Sequence, residues 1–339
     1  MLWANNLKTF SVFAVVILHV TSGFIGGVDL SDPSYGNREW WAGNIYNSLT
    51  RWCVPLFVMI SGYFLLNKSE PLLIFLKKRL RKILIPLTFW SIFFTLWTLL
   101  RFTIKGQISE SHMIIVNAWL SGKPYYHLWY LFMIPFLYII TPPLRVLNNK
   151  LAKSEYFLLI SFSFFLAISN VLFSNALTYF GNPPRAELFT NNFLMYIGYF
   201  CLGGYISKYN SELKINIDIL IIILILSWGC TIFGSYFFSY KYFHSYLSIN
   251  TVSASISLFL IIKKLANKNL KLDNVAKFSF GIYLIHPVFL DIFSVLGKDW
   301  FLNQLDIYTY IPLVSFLIFT LSYFSVLILS KINHLNRCI

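Results

Sequence analysis

Apolar residues fill long stretches of this chain, and polar residues gather in the short connections between them. Each stretch is about 20 residues long, which is the length that a helix needs to cross a hydrocarbon core of ~30 Å. The pattern predicts ten membrane-spanning helices. They cover Thr9–Ile25, Asn44–Leu66, Ile83–Leu100, His127–Thr141, Glu155–Ser174, Asn191–Ser207, Asn216–Phe238, Ser245–Ile262, Val275–Leu296 and Tyr308–Leu329. Pro142 and Pro143 are expected to end the fourth helix, because proline lacks the backbone donor that a helix interior requires.

The composition indicates a membrane protein. Of the 339 residues, 57% are hydrophobic and 12% are charged, whereas a soluble domain averages roughly a quarter charged residues. This excludes a disordered chain, a coiled coil and an ordinary water-soluble protein. The longest connection, Arg101–Tyr126, is too short for a separate catalytic domain. We therefore predict an all-α, polytopic transmembrane bundle that forms one integral-membrane domain over residues 1–339.

The charge distribution predicts the orientation of the bundle. The formal net charge is +14, and most Lys and Arg residues lie in the connections on the side of the N-terminus, above all in Asn67–Lys82 and Lys263–Lys277. Because cytoplasmic loops are rich in Lys and Arg, both termini are predicted to be cytoplasmic. The membrane topology and contact with membrane lipids then explain the excess of positive charge, so no nucleic-acid partner is expected. The four cysteines show no paired spacing, so neither a disulfide framework nor a metal site is expected.

Three ionisable side chains fall inside the predicted helices, at His19, Arg51 and His286. A charge at the centre of a bilayer costs at least ~2.5–3.5 kcal/mol on insertion scales, which makes such residues candidates for function. Their positions along the helices put all three in the central or outer membrane, where they can face one cavity.

Two interpretations fit His19, and two fit Arg51. His19 can act as a general base, or it can be a neutral histidine that donates one hydrogen bond to a neighbouring helix. Arg51 can face an anionic ligand, or its long side chain can reach the outer interface. His286 precedes Pro287, which removes a backbone donor and frees a carbonyl, so polar groups can gather there.

Two further groups of residues lie at the predicted membrane surfaces. His127, Trp129 and Tyr130 begin the fourth helix on the outer side, where they form either an interfacial aromatic belt or a sugar-binding site. The run Lys77–Lys82 lies on the cytoplasmic side. It either fixes topology by binding anionic lipid or binds the phosphates of a cytosolic acyl donor.

These segments, in this order, resemble the membrane acyltransferase-3 family over nearly the whole chain. The resemblance is carried by Lys8 and His19 with ten residues between them, by Arg51–Leu66, by a basic loop that leads into Ile85–Leu87, by His127–Phe132 and by Phe280–Pro287. Members of that family usually have Asp and Arg in the motif before the first helix, where this chain has Asn5 and Lys8. Lysine keeps the charge of arginine but loses its bidentate geometry.

The resemblance implies an O-acyltransferase of the bacterial cytoplasmic (inner) membrane. Its donor would be cytosolic acyl-CoA, chiefly acetyl-CoA, used as a substrate with no bound cofactor, and its acceptor would be a hydroxyl of a surface polysaccharide or of its lipid-linked precursor. His19 would be the base or a transient acyl carrier, Arg51 would stabilise the oxyanion, and His286 or His127 would orient the acceptor.

In this scheme CoA phosphates would bind to Lys8 and to the basic run, at Lys78, Arg79, Arg81 and Lys82. The competing hypothesis is a flippase or permease for lipid-linked glycans, which needs a polar cavity and interfacial aromatic residues but performs no acyl transfer.

Overall fold

A computed structural model describes residues 1–28, 30–104, 106–179, 192–213, 216–238 and 240–339. The described secondary structure is helical. The helices are α1 Leu2–Ile25, α2 Arg38–Thr50, α3 Cys53–Leu65, α4 Leu72–Ile104, α5 Ile108–Leu120, α6 Trp129–Lys150, α7 Lys153–Tyr179, α8 Asn192–Met195, α9 Ile197–Lys208, α10 Ile217–Phe237, α11 Tyr240–Phe243, α12 Ile249–Leu265, α13 Asp273–Leu296, α14 Lys298–Gln304 and α15 Ile307–Leu329, followed by a 3-10 helix at Leu335–Arg337.

The prediction of a polytopic helical bundle is confirmed. Among the described residues, eight helical stretches are long and apolar enough to cross a membrane, counting α2 and α3 together. The two other predicted spans are shorter helices. Ser245–Ile262 corresponds to α12, which has 17 residues, and Asn191–Ser207 corresponds to α8 and α9, with Asn191 outside the described residues.

The prediction that Pro142 and Pro143 end a helix is wrong. Helix α6 continues through both of them, and through Pro135, to Lys150. A proline inside a transmembrane helix removes one backbone hydrogen bond, but neighbouring groups can satisfy the freed carbonyl where water is scarce. The cost is therefore too small to end the helix.

The long second span is interrupted at Arg51 and Trp52, which form a turn between α2 and α3. The local cause is Pro55, because a proline at that position has no N–H to donate to the carbonyl of Arg51. The interruption places an arginine at a break in the helix instead of on a continuous helical surface.

The residues group into two compact units, and the prediction of a single domain over 1–339 stays a prediction. The first unit comprises Met1–Ile60, Ala167–Pro183 and Glu212–Leu329. In it α1 packs against α2, α12, α13 and α15, and α10 packs against α12. Its core contains Val16, Val20, Ile311, Val314 and Ile318, each at most 5% exposed. Helix α1 is thus enclosed by other helices on several sides.

The second unit comprises Ser61–Leu166, Pro184–Ser211 and Ser330–Ile339. In it α4 packs against α5, α6 and the 3-10 helix, and α6 packs against α9. Two glycines allow the helices of this unit to pack closely. A Cβ on Gly62 would lie 1.8 Å from the carbonyl oxygen of Phe200, and a Cβ on Gly204 would lie 2.5 Å from the side-chain atom Cδ1 of Leu66. Close packing of these helices therefore depends on small residues at positions 62 and 204.

Candidate active site

A proline fixes the orientation of His286 in the first unit. Pro287 cannot donate to the carbonyl of Tyr283, which is the partner that an ordinary residue at position 287 would have. The Nδ1 of His286 takes that place, at 2.8 Å from the oxygen of Tyr283. Because a neutral imidazole that donates from Nδ1 carries its lone pair on Nε2, His286 is held as a hydrogen-bond acceptor at Nε2.

His19 and His286 are neighbours in this unit. Their rings stack with centroids 5.2 Å apart and planes 27° from parallel. His286 is completely buried, whereas His19 is half-buried. The two histidines come from α1 and α13, which pack directly against each other. The structure therefore brings together two residues that are 267 positions apart in the sequence.

Arg51 is the third member of this group. Its guanidinium interacts electrostatically with His19, and its Cζ lies 5.3 Å from the ring centroid of Tyr246. A cation over an aromatic face is attracted by the negative face of the ring. Arg51 is half-buried, and its Nε makes no hydrogen bond to any described residue. A guanidinium in this setting is suited to an anionic or negatively polarised ligand group.

Amide and hydroxyl groups of α1 and α2 form hydrogen bonds at positions close in sequence to His19 and Arg51, and the sequence analysis did not single them out. Asn47 donates from Nδ2 to the hydroxyl of Thr21 at 2.8 Å and to the carbonyl of Leu18 at 3.1 Å. Ser48 lies 3.3 Å from Nε2 of His244. The signal that could have found them is the presence of Asn44, Asn47 and Ser48 in one predicted span, since polar residues at helical spacing share a face.

Lys8 lies on α1, the helix that carries His19. Its side chain is half-buried, and the separation of eleven positions between Lys8 and His19 corresponds to about 16 Å along the helix axis. Near it Asn5 donates to the carboxylate of Asp273 at 2.7 Å. The amide thus ties the start of α1 to the start of α13.

The second unit contains a cavity lined by basic side chains. Its volume is about 610 Å³. Lys77, Lys78, Arg81 and Lys82 line it from α4, opposite residues of the C-terminal segment that include Arg337. At 100° per residue, these four positions of α4 span an arc of about 140° and share one face of the helix.

Arg79 does not line this cavity, although it belongs to the same basic run. Its Nη2 lies 3.8 Å from the Glu70 carboxylate, which is also 3.9 Å from Nη2 of Arg145. The guanidinium groups of Arg79 and Arg145 lie 5.9 Å and 4.3 Å from the ring centroid of Phe75. The structure thus separates Arg79 from Lys78, Arg81 and Lys82 by placing it on another face of α4.

The aromatic residues predicted at the outer surface also lie in the second unit. His127 is 1% exposed, and its ring packs edge-on against Phe94 and Tyr125, with centroids 5.1 Å and 5.9 Å away. The Trp129 ring lies 5.6 Å from that of Tyr196, and Tyr130 hydrogen-bonds Ser61. Contact of His127, Trp129 and Tyr130 with a sugar stays a prediction.

Metal-binding side chains were a further possibility for a site. Among the described residues, no group of three His, Cys, Asp or Glu side chains is arranged to hold a metal ion. All four cysteines are free thiols.

These features define a polytopic membrane protein whose interior brings two histidines and an arginine within interaction range. The family model described as an acyltransferase domain matches residues 1–331, which is nearly the whole chain. The chain therefore belongs to the acyltransferase-3 family and is a membrane acyltransferase. Searches of curated proteins and of solved structures gave no match.

Proposed function

We propose that this acyltransferase moves an acetyl group from cytosolic acetyl-CoA to a hydroxyl of a bacterial surface polysaccharide or of its lipid-linked precursor. In this proposal it resides in the bacterial cytoplasmic membrane with both termini in the cytoplasm. The observation that carries the proposal is the stacked pair of His19 and His286 with Arg51 in electrostatic range. Transfer to a hydroxyl needs a base and a positive group for the developing oxyanion. This group of residues contains both.

The reaction step assigns a role to each of these residues. His19 takes the proton of the acceptor hydroxyl while the hydroxyl oxygen attacks the thioester carbonyl carbon, and a C–O bond forms. Arg51 stabilises the negative charge that develops on the carbonyl oxygen. When the C–S bond breaks, the CoA thiolate receives the proton from His19. A route through a transient acyl group on His19 uses the same residues and a second attack by the acceptor.

His286 serves to orient the acceptor in this proposal. Because its Nδ1 is held by the carbonyl of Tyr283, its Nε2 can accept a hydrogen bond from a hydroxyl of the sugar. A sugar has several hydroxyls, so one of them can bind His286 while another is deprotonated by His19. A fixed acceptor atom beside the base is what a regioselective transfer requires.

The donor binds through its phosphates. Lys78, Arg81 and Lys82 line one cavity, and phosphate oxygens are the ligands that such cations prefer. In the first unit, Lys8 is a separate candidate for a phosphate ligand, and its distance of about 16 Å from His19 along α1 is comparable with the length of a pantetheine arm. Arg79 is assigned a positioning role, since it pairs with Glu70.

The experiment replaces His19 by alanine in vesicles supplied with radiolabelled acetyl-CoA and the acceptor glycan. Loss of a general base typically lowers the rate by about 10²–10⁴-fold, so we expect almost no labelled glycan. His112→Ala is the matched control, because His112 is an exposed histidine on α5, and it should keep the normal rate. Both variants must elute and melt like the unmodified protein. A normal acetylation rate for His19→Ala would overturn the assignment.

The same vesicles separate the proposal from a glycan carrier. An acetylated product identifies the transferase. Movement of unmodified lipid-linked glycan across the membrane, without any acetylated product, would identify the flippase or permease instead.

A further inference from the structure

The C-terminal segment Ser330–Ile339, called the tail below, folds back onto α4 in the second unit. Its 3-10 helix, Leu335–Arg337, packs against α4. The indole Nε1 of Trp90 donates to the carbonyl of Cys338 at 2.7 Å, and Trp90 is 3% exposed. His334 turns the chain with a positive φ of 74° just before the 3-10 helix. A buried hydrogen bond and a turn thus hold the tail in one place.

This placement adds a cation to the basic cavity. Arg337 lines the cavity together with Lys77, Lys78, Arg81 and Lys82. Among the described residues that line it, none is Asp or Glu. Five cations around one space repel one another, and an anion with several charges offsets that repulsion. The guanidinium of Arg337 is therefore a fifth cation that favours an anionic ligand on the tail side of the cavity.

The size and the walls of the cavity favour a phosphorylated nucleotide over a single phosphate. A volume of about 610 Å³ lies within the usual range of ligand pockets, ~300–1,000 Å³. Ile74 and Ile85 from α4 and Ile339 from the tail supply apolar surface between the charges. Apolar walls with cations around them suit a molecule that has both phosphates and a base or an alkyl arm.

We propose that the tail forms one wall of the donor site and that Arg337 binds a phosphate of CoA opposite the basic face of α4. This inference rests on the proposed function, because it takes acyl-CoA as the donor. It adds a binding residue that lies beyond the 1–331 region matched by the family. Trp90 is a positioning residue in this arrangement, since it touches the tail and acts through it.

The test measures the binding of CoA, of adenosine 3′,5′-bisphosphate and of pantetheine to the full-length protein in nanodiscs of zwitterionic lipid. Arg337→Ala should weaken binding of the two phosphorylated ligands about tenfold, equivalent to about 1.4 kcal/mol. It should leave pantetheine unaffected, because pantetheine has no phosphate. Arg337→Lys should restore part of the loss, since the charge returns without the bidentate geometry. Lys331→Ala is the matched control, because it removes an exposed tail cation that does not line the cavity.

The outcomes separate this inference from the function on which it rests. If the unmodified protein binds CoA and Arg337→Ala binds it equally tightly, the role of the tail is wrong while the proposed function stands. If the unmodified protein neither binds CoA nor transfers acetyl groups, the proposed function fails. If Arg337→Ala leaves CoA binding unchanged but loses phosphatidylglycerol that native mass spectrometry detects on the unmodified protein, this cavity binds lipid headgroups. Its assignment to CoA is then overturned, and the proposed acetyl transfer stands with CoA bound elsewhere.

Discussion

Replacing Gly62 by alanine tests the closest helix contact in the second unit. Gly62 lies on α3, and a Cβ at this position would be 1.8 Å from the carbonyl oxygen of Phe200 on α9 and 2.7 Å from its carbonyl carbon. Ordinary Cβ contacts begin near 3.4 Å. The two backbones would therefore have to separate by about 1.6 Å, because a helical carbonyl, unlike a side chain, has no rotamer that removes it.

The cost of this separation can be bounded from packing data. Extra atoms in a packed core typically cost ~1–3 kcal/mol, and more when no side chain can move away. Cys201 and Gly204 follow Phe200 on the same helix, and the phenol of Tyr156 donates to the carbonyl of Cys201 at 3.1 Å. A displacement of α9 would disturb this bond as well. We expect Gly62→Ala to lose about 3 kcal/mol or more of folding free energy.

Two matched variants make the test selective. A Cβ on Gly229 in α10 meets nothing within 4 Å, so Gly229→Ala should be neutral or stabilise by up to ~1 kcal/mol through helix propensity. Gly204→Ala should fall between the two, because Cδ1 of Leu66 at 2.5 Å can rotate away whereas Cβ of Leu66 at 2.9 Å cannot. Thermal unfolding in detergent measures all three. Equal melting temperatures for Gly62→Ala and Gly229→Ala would refute the close approach of α3 and α9.

Two further predictions concern the active site and the tail. Pro287→Ala restores an N–H that competes with His286 for the carbonyl of Tyr283. The rate constant kcat should therefore fall about fivefold, which is equivalent to a hydrogen bond of ~1 kcal/mol, while the KM for acetyl-CoA stays unchanged. A rise in KM alone would contradict this prediction. Burial raises the pKa of the Cys338 thiol, so N-ethylmaleimide should modify it slowly in the unmodified protein. Trp90→Phe should release the tail and accelerate that modification about two- to tenfold, which peptide mass spectrometry measures. An unchanged rate would show that the hydrogen bond from Trp90 to the carbonyl of Cys338 does not hold the tail in place.

The positions of the long apolar helices could be predicted from the sequence. The points at which those helices end or break could be predicted only in part. Apolar length determines where a chain crosses a membrane, and this property is local. Whether a proline ends a helix depends on what satisfies the freed carbonyl, and that depends on packing. Pro142 and Pro143 leave α6 intact, while the helix before Pro55 breaks at Arg51. The residue type alone does not distinguish these cases.

The candidate site shows the same division between local and tertiary information. His19, Arg51 and His286 were identifiable because ionisable groups are rare at lipid depth, but the stacking of the two rings depends on how α1 and α13 pack. Helical periodicity already separates Arg79 from the other cations of its run, since position 79 lies about 200° from position 77. The place of Arg337 could not be predicted, because it depends on the bond between Trp90 and Cys338.

Proline placement gives a physical reason for the position of His286 in α13. At lipid depth a carbonyl that loses its backbone partner must find another donor, since water is scarce. In α13 the donor is Nδ1 of the histidine that directly precedes the proline, so the pair His286–Pro287 satisfies the freed carbonyl and fixes the tautomer of the imidazole. At the end of α3, by contrast, the carbonyl of Leu65 keeps a backbone donor, the N–H of Lys68 at 3.4 Å, and also accepts from Nε of Arg145 at 2.9 Å. His286 is thus retained at lipid depth where the backbone of α13 needs a donor, and the bond of its Nδ1 leaves Nε2 as the acceptor nitrogen of the ring.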